Sequence, residues 1–201
     1  MLIPYLNGTG KKGELSHKAH LNDVNGIKHI TDLLASYIQK AGSDREPVVV
    51  CIGTDRSTGD CLGPLAGSQL VRLTDNTIKV YGTLDHPVHA TNLQLTLTQV
   101  NKANPNAFII AVDACLGHLD SVGCINLAKG ALKPGAGVHK SLPAVGEAYL
   151  TGIVNVGGFM EYLVLQNTRL SVVMKMAECI AEIISLAYLN SNKVEKIYTT
   201  T

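Results

Sequence analysis

The sequence predicts an α/β protein, a three-layer sandwich with a mostly parallel, twisted central sheet between helices. Three observations carry the prediction. "PVVVCIG" (47–53) and "NAFIIAVDACLG" (106–117) hold continuous apolar runs, the pattern of strands buried on both faces. Segments with helical apolar spacing alternate with these strands. Glycine and proline stand at the changes of period, where turns belong. The chain has 201 residues, enough for one domain with a substantial core, so a single α/β domain over 1–201 is expected.

The elements follow in order. Residues 1–19 read as a loosely attached arm. "LNDVNGIKHITDLLASYIQKAG" (21–42) places Ile27, Ile30, Leu33, Leu34, Tyr37 and Ile38 on one helical stripe, and Gly42 is the expected C-cap. After the strand 47–53, "GPLAGSQLVRL" (63–73) is a helix with Pro64 in its first turn. "IKVYGT" (78–83) is a strand. "HATNLQLTLTQVNKAN" (89–104) is read as a helix, with its threonines leaving a strand open. The strand from 106 is expected to end at Asp113. "SVGCINLA" (121–128) and "EAYLTGIVNV" (147–156) are further strands, separated by a long Gly- and Pro-rich loop over 129–146. "GGFMEYLVLQNT" (157–168) is a turn and short helix. From about Leu170 a long helix buries Val172, Val173, Met176, Ile180, Ile183, Ile184 and Ala187, while Lys175, Glu178 and Glu182 break any membrane-spanning run.

Composition removes several function classes. Apolar residues make up 46% and charged residues 16%, a globular balance. A net charge of +1, no Trp and two Phe give neither the basic surface nor the stacking platform of a nucleic-acid binder. No stretch near the start is apolar enough for a signal peptide. Five cysteines with no CxxC spacing read as reduced core residues of a cytoplasmic protein.

"STGDCLGP" (57–64) holds the leading candidate for chemistry. Asp60 lies in the loop after one buried strand, and Asp113 at the expected end of another. Ligands of open α/β sheets bind beyond the carboxyl ends of strands. Two carboxyls meeting there cannot both ionise cheaply, so one stays protonated and can donate while its partner activates water. Gly59 and Gly63 would admit a substrate backbone. Asp55 is a third acid in the loop, read first as a turn or loop-bonding residue and then as a catalytic or substrate-contacting one. The structural alternatives are a helix cap at Asp60 and a loop anchor at Asp113.

These residues carry a resemblance. "VVVCIGTDRSTGDCLGPLA" resembles the "VVGLGN…TPDALGP" segment of the germination (spore) protease family. "NPNAFIIAVDACLG" resembles that family's "PDFVIAIDALA", and "KGALKPGAGV" its "GIHPGSGV", in the same order along residues 48–138. The whole chain resembles a spore-protease-related group of sporulation proteins. The resemblance implies the fold shared with the hydrogenase-maturation proteases. It also implies catalytic roles for Asp60 and Asp113, a protein or peptide substrate, and a place in the cytoplasm of the sporulating cell or forespore. The chain departs from the spore proteases in its shorter length, in Thr54 and Asp55 where they have "GN", and in Cys61 where they have Ala. A catalytically silent binding protein of sporulation with the same fold is therefore the alternative.

The remaining candidates are weaker. Cys61 and Cys115 each sit close after an acid whose charge opposes thiolate formation. His86, His89, His118 and His139 lie in no spaced metal motif. The hydrogenase-maturation proteases hold a metal with two acids and a histidine, which makes a set of Asp60, Asp113 and His118 or His139 a third reading; no metal and no cofactor is the expectation. "KPGAGVHK" is not a phosphate-binding loop, and no Ser stands in a G-x-S-x-G elbow. Neither nucleic acid nor membrane is expected as a partner, and self-association is left open.

Overall fold

The computed structural model describes residues 16–135 and 142–198. Six strands form one sheet: β1 (Ser16–His20), β2 (Pro47–Cys51), β3 (Lys79–Tyr81), β4 (Phe108–Gly117), β5 (Cys124–Lys129) and β6 (Ala148–Val156). The helices are α1 (Val24–Ala41), α2 (Leu62–Thr74), α3 (Leu93–Ala103), α4 (Glu161–Gln166) and α5 (Leu170–Tyr198), with a 3₁₀ turn at Leu119–Ser121.

The sheet is mixed, in the order β1-β5-β6-β4-β2-β3. β3, β2, β4 and β6 pair in parallel. β5 joins β6, and β1 joins β5, in antiparallel fashion. The antiparallel edge lies outside the expected pattern. Ser16–His20 is also a paired edge strand with Ala19 in the core, so residues 16–19 of the expected arm belong to the sheet. Residues 1–15 lie outside the described residues.

Every residue of β2 is buried because helices cover both faces of the sheet. Val49 and Cys51 join one cluster with Ile30, Leu34 and Ile38 of α1, Leu62, Ala66 and Leu70 of α2, and Val173, Met176 and Ile180 of α5. Val48, Val50 and Ile52 join a second cluster with Leu93, Leu97 and Val100 of α3. α3 is a helix despite its threonines. The Thr96 and Thr98 hydroxyls donate to the carbonyls of Asn92 and Gln94 four residues back, so they find partners without leaving the helix. α1 opens on Asp23, whose side chain accepts from Gly26 N–H at 3.0 Å, and closes at Gly42 with φ 105°.

Two crossovers position the candidate site. The chain leaves β2 through α2 on one face to reach β3. It returns through α3 on the other face to β4, on the opposite side of β2. The strand order therefore reverses between β2 and β4, the place where doubly wound sheets open a crevice. β2 and β4 stay paired to Cys51–Val112. Ile52 N–H still donates to Val112, but Ile52 then bridges Val88, and Gly53 N–H donates to the Val88 carbonyl. β4 continues to Gly117, paired with β6 and kinked by an irregularity between Cys115 and Leu116.

Candidate active site

Asp113 is the first residue of β4 beyond its last partner in β2. It does not end the strand, as its place after an apolar run predicted. It sits within β4 opposite Thr151 of β6. The ladder to β6 continues past it, and that partner strand is remote in sequence. Side chains alternate along a strand, so Asp113 and Cys115 share the face of Ile109 and Ala111, which is the α3 side. One Asp113 oxygen, Oδ1, accepts from Ala114 N–H at 2.8 Å. Burial pushes the Asp113 carboxyl up to about 8, against the pull of that N–H, and the charge of Asp60 adds to the rise.

Asp60 arrives from a different element, the loop of residues 53–61. The loop folds back on the end of β2. Thr54 N–H donates to the Asp60 carbonyl at 3.2 Å, and Cys61 N–H donates to the Ser57 carbonyl at 3.0 Å. Asp60 is half-buried, and burial raises its carboxyl above the ordinary value while Ser57 biases it toward the ionised form. The influence between the two acids is felt at Asp113 because Asp60 loses its proton first. Asp113 then titrates against a charge already present. The Ser57 hydroxyl is buried and makes no hydrogen bond of good geometry, so its effect on Asp60 is that of a nearby donor not yet engaged.

The other expected site residues are placed differently. A side chain at Gly59 would strike Leu165 Cδ2 at 2.7 Å, and Gly59 N–H donates to the Leu165 carbonyl at 2.8 Å. A side chain at Gly63 would meet the Ile52 carbonyl oxygen at 2.1 Å. Both glycines let the chain pack against itself, which accounts for them without a substrate. Asp55 is exposed on the outer turn, where Thr54 donates to it at 3.5 Å, and its charge raises the Cys61 thiol together with burial and Asp60. The Cys115 thiol, raised to about 12 mainly by burial, is no nucleophile at neutral pH, and Thr151 is its bonding neighbour.

His86 and His89 belong to the turn before α3, where their backbone N–H groups donate to Thr83 and Asn92 side chains. His118 is exposed at the start of the 3₁₀ turn. His139 lies outside the described residues. Among the described residues no three His, Cys, Asp or Glu side chains gather as a metal site.

Sequence reasoning missed the part played by α4. Its Leu165 carbonyl takes Gly59 N–H, and its Gln166 carbonyl accepts from the Thr58 hydroxyl at 3.3 Å. The same segment lines an open groove of about 490 Å³ beyond the end of β6, with Asn155, Val156, Phe159, Met160, Leu163 and Val164 on its walls. Phe159 is 90% exposed, and Met160, Tyr162 and Leu163 are exposed beside it. The signal in the sequence was "GGFMEYL", whose apolar residues follow two glycines and have no polar face to explain them.

The chain is an α/β protein with helices on both faces of a mixed sheet and two coupled carboxyls where the strand order reverses. The chain belongs to the family described as "Protein of unknown function (DUF1256)", which it matches over residues 18–183. It is 54% identical over 164 residues to "Uncharacterized protein YyaC" of Bacillus subtilis (strain 168), a match covering 82% of this chain and 80% of that protein. No described helix is long and apolar enough to cross a membrane.

Proposed function

We propose that the chain is a peptidase of sporulating cells, acting in the cytoplasm, that hydrolyses a protein or peptide with Asp60 and Asp113. The observation carrying this reading is the unequal pair. Asp113, held near 8, keeps its proton at neutral pH, while Asp60 gives up its own first. Asp60 takes a proton from water as the water oxygen attacks the scissile carbonyl, and Asp113 gives its proton to the carbonyl oxygen. The tetrahedral intermediate collapses as its proton returns to Asp113. The proton on Asp60 passes to the amide nitrogen, the C–N bond breaks, and both acids regain their starting states. The resemblance of residues 48–138 to the germination proteases supports the same roles and a protein substrate. The apolar groove beside α4 suits a large apolar side chain of that substrate.

The test is incubation of the purified chain with small acid-soluble spore proteins and with a broad peptide library. Cleavage is expected in the parent and is lost in Asp60→Asn and in Asp113→Asn. Cleavage that survives both substitutions overturns the acid pair. A parent that binds these peptides without cutting them overturns the peptidase and leaves a binding protein.

A further inference from the structure

We propose that Ser57 is a positioning residue of the acid pair, its buried hydroxyl being the donor that holds Asp60 as the ionised carboxylate facing water. The inference rests on the proposed acid pair and adds to it a group that favours Asp60 as the base.

Ser57 is 5% exposed, and its Oγ is the one buried side-chain nitrogen or oxygen among the described residues with no hydrogen-bond partner. A hydroxyl left so is unfavourable, and native structures rarely tolerate one without a use for it. Alanine would fill nearly the same space at no such disadvantage. The other hydroxyls of the loop are engaged elsewhere: Thr58 donates to Gln166, and Thr54 donates to Asp55. The backbone keeps Ser57 and Asp60 together in one turn, closed by Cys61 N–H on the Ser57 carbonyl and by Thr54 N–H on the Asp60 carbonyl. Gly53 makes the second contact possible, since any side chain there would fall 1.9 Å from the Asp60 carbonyl oxygen. A small movement of the Ser57 side chain brings its hydroxyl onto Asp60 when Asp60 carries its charge, because an ionised carboxylate is the stronger acceptor. The bias of Ser57 toward ionised Asp60 has the direction this requires. The ionisable groups coupled to Asp60 are Asp113 on β4 and Cys61 at the start of α2, and the rise each feels from Asp60 depends on its being charged.

The experiment is a carboxyl-carbon NMR titration of the full chain carrying labelled aspartate, with Asp60→Asn and Asp113→Asn used to assign the two signals. In Ser57→Ala the Asp60 midpoint is expected to rise by on the order of one pH unit, the size of one lost donor. In Ser57→Thr, which keeps the hydroxyl, it should stay at the parent position. The melting temperature of Ser57→Ala should equal or exceed that of the parent at low pH, where Asp60 is neutral. Should Ser57→Ala fail to fold, Ser57→Cys, a near isostere and weak donor, is expected to raise the midpoint in the same direction. An Asp60 midpoint that does not move on loss of the hydroxyl overturns the inference, and does so even if the parent cleaves peptides. A shift in a parent that cleaves nothing upholds the inference and removes only the peptidase.

Discussion

At the scale of single residues, Asp113 ties stability to pH. Its carboxyl sits near 8 in the folded chain and near 4 in the unfolded one, so between those values the folded state holds a proton that the unfolded state has released. The protein therefore loses stability as pH rises through this window. Asp113→Asn should flatten that slope and exceed the parent by several kcal/mol at pH 8, the span from near 4 to near 8 corresponding to about 5 kcal/mol, with little difference near pH 4. Denaturant melts of both proteins at the two pH values check this, and equal slopes would remove the protonated acid. Asp60→Asn makes a separate mark. Without the charge of Asp60 the Asp113 midpoint should fall, which the same labelled-aspartate titration reads. Both acids stand out in the sequence as candidates because each lies after a buried apolar run. The depth of Asp113 in its strand was not, since pairing with β6 is decided by residues some forty positions later. Ser57 left no trace either, because a serine in a polar loop reads as solvated until the fold encloses it.

At the scale of elements, the glycines of the acid loop carry a packing role. Read locally, Gly59 and Gly63 make room for a ligand; in the fold, a side chain at Gly59 would meet Leu165 and one at Gly63 the Ile52 carbonyl. Gly63→Ala should destabilise the protein by about 1–3 kcal/mol, the usual range for overpacking, and a chemical melt will measure it. The groove beside α4 predicts a different outcome. Leu163→Ser and Phe159→Ser change exposed walls, so both variants should fold with parent stability. On the proposed reading they raise KM for peptides with a large apolar residue and leave kcat for small substrates unaltered. α1, β2, α2 and α5 were legible because their apolar periods match what the sheet buries. The strand at 16–20, "SHKAH", has no apolar period of its own and exists through its pairing with β5.

For the whole molecule, the ends of three strands are joined by one side chain. Arg45 donates to the carbonyls of Asn106 and Ala107 before β4 and to Glu147 before β6, from the turn that enters β2. Arg45→Ala is expected to lose about 1 kcal/mol, part of it packing over Phe108, and a thermal melt reads the loss. Thiol chemistry reports on the intact fold. Burial raises both Cys51 and Cys115 to about 12, so a thiol reagent at pH 7 should leave them unmodified until denaturant is added. The α/β class was legible from alternation of period alone. The antiparallel side of the sheet was not, because the 18 residues between β5 and β6 carry no hairpin signal and strand direction has no local signature.

The two acids have different masters. Asp113 is carried by a ladder, so its position is inherited from the sheet and changes only if the sheet does. Asp60 rides on a loop outside the ladders, tied to α4 through Gly59 N–H on the Leu165 carbonyl and the Thr58 hydroxyl on the Gln166 carbonyl. The two acids thus have separate supports, one in the sheet and one on α4. A displacement of α4 would therefore carry Asp60 with it and leave Asp113 where the sheet holds it.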